Sequence, residues 1–121
     1  MKIKSLFLLF CIICLLSTSC NDNGIDDDTI DCVKEEILVK IDRAFDPDDS
    51  KTVNFTINYT GNKTITSVMW DFGDGISETD SNISTMHTYA DTGLYNVKAD
   101  VNITQGISAC TLKPARSIKI K

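Results

Sequence analysis

Residues 53 to 60 read Val-Asn-Phe-Thr-Ile-Asn-Tyr-Thr, apolar and polar side chains in unbroken alternation. A period of two sends successive side chains to opposite faces of an extended chain, so this segment is an antiparallel strand with one face in a core and one in water. The pattern recurs at Tyr95, Val97, Ala99, Val101 and Ile103, and in shorter form at Ile37, Val39 and Ile41, at Val68, Trp70 and Phe72, and at Ile118 and Ile120. Pro47-Asp48-Asp49, Gly61-Asn62, Gly73-Asp74-Gly75 and Gln105-Gly106 supply turn chemistry between these runs. No window carries the 3.6-residue period of a long amphipathic helix. Six or seven short strands at this spacing predict an all-β fold, two sheets stacked as a sandwich.

Two local motifs sharpen that expectation. Trp70-Asp71-Phe72-Gly73-Asp74-Gly75 follows an inward-pointing indole with a turn whose glycines tolerate positive φ and whose aspartate can accept nearby backbone N–H groups. His87-Thr88-Tyr89 then ends one strand, and Gly93-Leu94-Tyr95-Asn96-Val97 begins the next with Tyr95 placed as in a tyrosine corner. In this order and spacing the two motifs resemble the signature of the PKD domain, over about residues 50 to 105. The resemblance implies an immunoglobulin-like β-sandwich found in extracellular proteins as an accessory or adhesive module, and makes His87 part of a structural strand. Val97 stands where an antibody domain carries its second core cysteine, so Phe55, Ile57 and Val97 are expected to fill that space with apolar side chains. The segments Cys32 to Arg43 and Ile107 to Lys121 are longer than the first and last strands of a minimal PKD domain, and Pro114 interrupts the last one, which suits an edge or a bulge.

The beginning of the chain follows a different rule. Lys2 and Lys4 precede eleven apolar residues, Leu6 to Leu16, a length suited to the core of a secretory signal and well short of the roughly twenty residues needed to span a bilayer. Leu16-Ser17-Thr18-Ser19-Cys20 resembles the lipobox of bacterial lipoproteins, with leucine four rather than three residues before the cysteine. It implies a signal peptide over 1–19 and an acylated Cys20 that anchors the mature chain in a lipid bilayer; the alternative is an ordinary cleaved signal with an incidental cysteine. Residues 20–31 form an acidic spacer: Asn21 to Asp31 holds five aspartates, no basic residue and two isolated isoleucines. Acidic residues just after such a cysteine resemble the sorting signals of outer-membrane lipoproteins, and a plain solvated linker is the alternative. The sandwich domain is expected over 32–121, on an envelope face of the outer membrane.

With Cys11 and Cys14 removed and Cys20 lipidated, Cys32 and Cys110 are the remaining thiols, and an oxidising compartment favours pairing them over leaving two separate buried thiols. Without Lys2 and Lys4, the mature chain has ten basic and seventeen acidic residues, which argues against nucleic acid as a partner. Catalytic residues are not expected, because His87 is the lone histidine and no nucleophile motif accompanies it. No cofactor is implied. Asp71, Asp74 and Asp80 are weak calcium candidates, since turn aspartates more often serve local backbone donors. Five Asn-X-Ser/Thr sequons, at Asn54, Asn58, Asn62, Asn82 and Asn102, read as polar strand faces. The expected function is a non-catalytic envelope lipoprotein displaying its domain for protein contact or adhesion. The alternatives are a carbohydrate-binding accessory module of a glycan-uptake system, for which Tyr59 and Tyr89 are the candidate ligand contacts beside Phe45, or a structural subunit of an envelope complex.

Overall fold

The computed structural model describes residues 30–121. The signal segment 1–19, Cys20 and the spacer up to residue 29 lie outside the described residues. A five-residue helix, α1 (Cys32–Glu36), precedes eight strands: β1 (Val39–Phe45), β2 (Thr52–Tyr59), β3 (Thr64–Asp71), β4 (Ser77–Asp80), β5 (Ser84–Thr88), β6 (Gly93–Gln105), β7 (Ser108–Leu112) and β8 (Ala115–Ile120). They form two antiparallel sheets, one ordered β1-β2-β5 and the other β4-β3-β6-β7, with β8 also paired to β6. The core lies between them, and the alternating residues fill it: Phe55, Ile57, Val68, Trp70, Phe72, Val97, Ala99, Val101, Ile103, Ile118 and Ile120 are all buried. Phe55, Ile57 and Val97 occupy the interior as expected of a sandwich without a cross-sheet disulfide.

β6 carries the last two strands along one of its edges. β6 pairs with β7 through Val101–Leu112 to Gln105–Ser108, and with β8 through Gly93–Ile120 to Lys98–Ala115, in a single continuous register. Pro114 sits at the break between β7 and β8. It has no N–H to give, yet its carbonyl accepts from Ala99 N at 3.1 Å, so the register survives the interruption. On the opposite side of β6, β3 carries a bulge between Ile65 and Ser67, where the Thr66 hydroxyl donates to the Asn102 carbonyl at 3.2 Å.

Side-chain bonds close the seams between sheets. Arg116 of β8 donates to the Ile41 carbonyl of β1 at 2.9 Å, and Thr85 of β5 donates to Glu78 of β4 at 3.1 Å. The outer edge of β7 is covered by α1, which a disulfide between Cys32 and Cys110 fastens there with a Cα–Cα distance of 5.8 Å. A Glu36 carboxylate oxygen accepts from Lys113 N at 2.8 Å beside it. An edge capped in this way offers no free ladder to another chain.

Three expectations change. Ile37 is not in the first strand: Asp31 caps α1 by accepting from Lys34 N, Ile37 ends that helix 82% exposed, and β1 begins at Val39. Ile30 and Asp31, assigned to the spacer by composition, are a core residue and a helix cap. The strand number rises to eight because Ser77-Glu78-Thr79-Asp80 has no apolar alternation and forms β4 by pairing with β3, while Pro114 divides the final strand.

Closing a loop of 78 residues in sequence, the Cys32–Cys110 bridge stabilises the fold by about 4 kcal/mol in the chain-entropy model. Urea unfolding with and without reductant is expected to show a drop of that order, and intact mass a gain of about two daltons on reduction. Equal midpoints in both conditions would exclude a stabilising bridge.

Candidate functional site

The motif residues converge behind the turn between β3 and β4. Gly73 and Gly75 hold φ of +82° and +89°, conformations that cost an L side chain about 1–2 kcal/mol. At Gly73 the need is double, because an added Cβ would lie 2.7 Å from the Asn96 carbonyl oxygen of β6; at Gly75 it would meet open space. Asp71 accepts from Gly73 N at 3.0 Å, and Asp74 accepts from Ile76 N at 3.1 Å through Oδ1. The other carboxylate oxygen of Asp74 is 2.6 Å from His87 Nε2 on β5. An ionised carboxylate only accepts, so His87 Nε2–H donates. Burial raises the Asp74 pKa, but the His87 bond, the Ile76 N–H and the imidazole charge outweigh it, and the net shift is downward from 3.8.

The imidazole is wedged between aromatic rings. It stacks on Phe72 with centroids 3.9 Å apart and planes 2° from parallel, and meets Tyr89 edge-on at 4.6 Å. Tyr89 then contacts Tyr95 at 4.4 Å, and the two hydroxyls bind backbone: Tyr89 donates to the Phe72 carbonyl at 2.8 Å, Tyr95 to the Asp91 carbonyl at 2.9 Å. The Tyr95 bond is the tyrosine corner expected from its place in β6. Together these contacts latch the β3–β4 turn to β5 and to the β5–β6 loop. His87 has its Nε2 committed and its ring buried, an arrangement that holds a turn in place.

The candidate ligand contacts are corrected here. Tyr89 is 1% exposed, and burial pushes its phenol pKa upward, so it has no face for a ligand. Tyr59 is half-buried, its hydroxyl donates to Glu35 of α1, and its pKa is pushed up to about 12 by burial and by that carboxylate. Both tyrosines end alternating runs that place them against the core, which the polarity of their neighbours conceals. The calcium candidates do not converge either. Asp80 accepts from Asn82 N at 3.1 Å, so each of Asp71, Asp74 and Asp80 serves a donor two residues ahead. Among the described residues no group of three acidic, histidine or cysteine side chains could hold a metal ion.

Sequence reasoning did not foresee the Glu35–Tyr59 pair, whose members are 24 positions apart, or a groove of about 300 Å³ where β1 and β8 diverge. Phe45, Asp46, Pro47, Ser50, Lys119 and Lys121 line that groove, and the Arg43 guanidinium lies 4.9 Å over the Phe45 ring. Phe45 and Pro47 flank a turn and Lys119 and Lys121 close the chain, so no local pattern joins them.

Comparison with known proteins agrees with this geometry. The model of the PKD domain family matches residues 33–118. The fold is similar to that of the PKD1 domain from the Vibrio cholerae metalloprotease PrtV, with a TM-score of 0.50 and 20% sequence identity, over 69% of this chain and 94% of that one. No curated protein matches the chain.

Gly75→Ala is expected to destabilise by about 1–2 kcal/mol, the conformational cost alone, and Gly73→Ala by roughly 3 kcal/mol or more, because Asn96 must also give way. Chemical denaturation of the two variants separates the terms, and equal losses would remove the close approach from the account. A carboxyl whose folded pKa is depressed contributes stability fully above its unfolded value, near 3.8, and loses it as pH falls through the lower folded value. Asp74→Asn is therefore expected to lose stability at neutral pH, about 1–3 kcal/mol for the broken bonds, and to show a shallower acid limb below the ordinary carboxylate value of 3.8. An acid limb unchanged by the substitution would contradict this role for Asp74.

Proposed function

The chain belongs to the PKD domain family, and from that premise we propose that it is a non-catalytic cell-envelope lipoprotein, anchored in the outer membrane through acylated Cys20, that displays its sandwich for contact with another envelope or extracellular protein. The observation that carries this reading is the disposition of the chain ends and loops. The described chain begins at Ile30, at the end of the sandwich formed by α1, the β2–β3 loop and the β6–β7 turn. The β1–β2, β3–β4 and β5–β6 loops lie at the opposite end, so a chain anchored ahead of Ile30 presents them outward.

Those outward loops are stiffened by the Asp74–His87–Tyr89 latch, and exposed apolar side chains stand at the same end, Ile76 in the β3–β4 loop at 53% and Leu94 at the start of β6 at 78%. Rigid loops with apolar tips suit protein contact, since little side-chain order is lost on docking. Sugar binding is supported less well: Tyr89 is buried and Tyr59 is tied to Glu35, leaving Phe45 as the exposed aromatic among the described residues.

Two measurements test the proposal. Metabolic labelling with a palmitate analogue is expected to mark the wild-type chain and not Cys20→Ala; labelling of the variant, or none of the wild type, would end the lipoprotein reading. A photo-crosslinking residue at Leu94 or Ile76 is expected to yield one discrete adduct with an envelope protein in intact cells, absent when the residue stands at Thr111. Binding on a glycan array without any such adduct would favour the accessory-module alternative.

A further inference from the structure

The three most exposed large aliphatic side chains of the described domain, Ile107 at 101%, Ile37 at 82% and Val33 at 80%, all lie at the end where the chain enters. Val33 and Ile37 are four residues apart across α1 and its cap, hence on one face, and the buried Glu35 marks the opposite face. Ile107 forms the tip of the β6–β7 turn, beside the strand that the Cys32–Cys110 bridge ties to α1. Leu94 at 78% and Ile76 at 53% are exposed at the far end, but the three most exposed aliphatics share the end at which the described chain begins.

Charged side chains stand at both ends of the sandwich. The far end carries Asp46, Asp48, Asp49, Asp74 and Asp91 together with Lys51, Lys119 and Lys121. Among the described residues at the entry end, Asp31 caps α1 and lies 3.6 Å from Lys34 Nζ, Glu35 takes the Tyr59 hydroxyl, and Glu36 takes Lys113 N. Lys34 remains 79% exposed, and Lys63 stands in the adjoining β2–β3 loop. Apolar side chains flanked by lysines suit the boundary between lipid headgroups and acyl chains.

Chain length supplies the third constraint. Nine residues separate Cys20 from Ile30, so the first described residue stands at most about 30–35 Å from an anchored cysteine even with the link fully extended. Held that near, a patch too small to bind from solution meets the surface at an effective concentration in the millimolar range.

We propose that the domain docks end-on to the lipid bilayer through Val33, Ile37 and Ile107, with Lys34 and Lys63 at the headgroups, so that the membrane fixes the orientation of the outward loops. The proposal rests on the anchored reading of Cys20, and its test supplies the anchor chemically. The chain from Cys20 to Lys121 is coupled through Cys20 to a maleimide-bearing lipid in phosphatidylethanolamine–phosphatidylglycerol vesicles with brominated acyl chains, which quench nearby indoles. In Ile107→Trp the new indole is expected to lose about half its emission relative to unbrominated vesicles. Leu94→Trp, at the far end, is expected to change no more than the wild type, whose Trp70 is sealed in the core. Adding Val33→Asp and Ile37→Asp to Ile107→Trp is expected to abolish the loss. Quenching absent at position 107, equal at 107 and 94, or unaffected by the aspartates would overturn end-on docking. Because the coupling bypasses cellular processing, that failure is separate from a failure of palmitate labelling, which bears on the lipoprotein reading alone.

Discussion

The fold depends on the Trp70 indole being sealed between the sheets. Its ring is fully buried, with Phe55 at 6.0 Å and Phe72 at 6.4 Å between centroids, and the three rings pack together within the core. Burying a large aromatic completely removes more apolar surface from water than any other single side chain can, so its neighbours on both sheets are set by its shape. The indole Nε1–H is buried without a protein acceptor among the described residues. Such a donor costs stability, and here the surrounding apolar contact outweighs it.

From that core the motif extends outward as a chain of contacts. Phe72 packs on Phe55 and lies flat against His87, whose Nε2–H donates to Asp74, while Tyr89 donates to the Phe72 carbonyl and touches Tyr95. The residues most distinctive in the sequence are therefore joined physically. Their work is to turn a mobile connection into a fixed loop, through one buried charge-assisted hydrogen bond and a set of ring contacts. A histidine, two tyrosines and an aspartate in proximity can look like reactive chemistry. Burial and bonding commit them to structure.

The two ends of the sandwich differ in kind. One carries the aspartate-rich turns, in which Asp46 accepts from Asp48 N and Asp49 from Lys51 N and Thr52 Oγ1, bonds that hold the Asp49 carboxyl below its ordinary range. The other carries α1, its disulfide and the exposed Val33, Ile37 and Ile107. Polarity of this sort arises because an antiparallel sandwich sends alternate loops to opposite ends, so that residues distant in sequence gather by the parity of the loop they occupy.

Alternation at Val53 to Thr60 and at Tyr95 to Ile103 determined two central strands and the inward face of each, because a period of two leaves no other amphipathic solution. The glycine turn and the Tyr95 corner were equally readable, being local: each rests on residues within a few positions of one another. What the tertiary structure decided is of longer range. The polar segment Ser77 to Asp80 becomes a strand only by pairing with β3, Tyr89 is buried only because Phe72 and Tyr95 close over it, and Glu35 finds Tyr59 across 24 positions. Likewise, the gathering of Val33, Ile37 and Ile107 at one end requires the bridge and the strand order to be in place. Local sequence encodes which way a side chain points relative to its own backbone; what it points at depends on packing between segments that only the folded chain brings together.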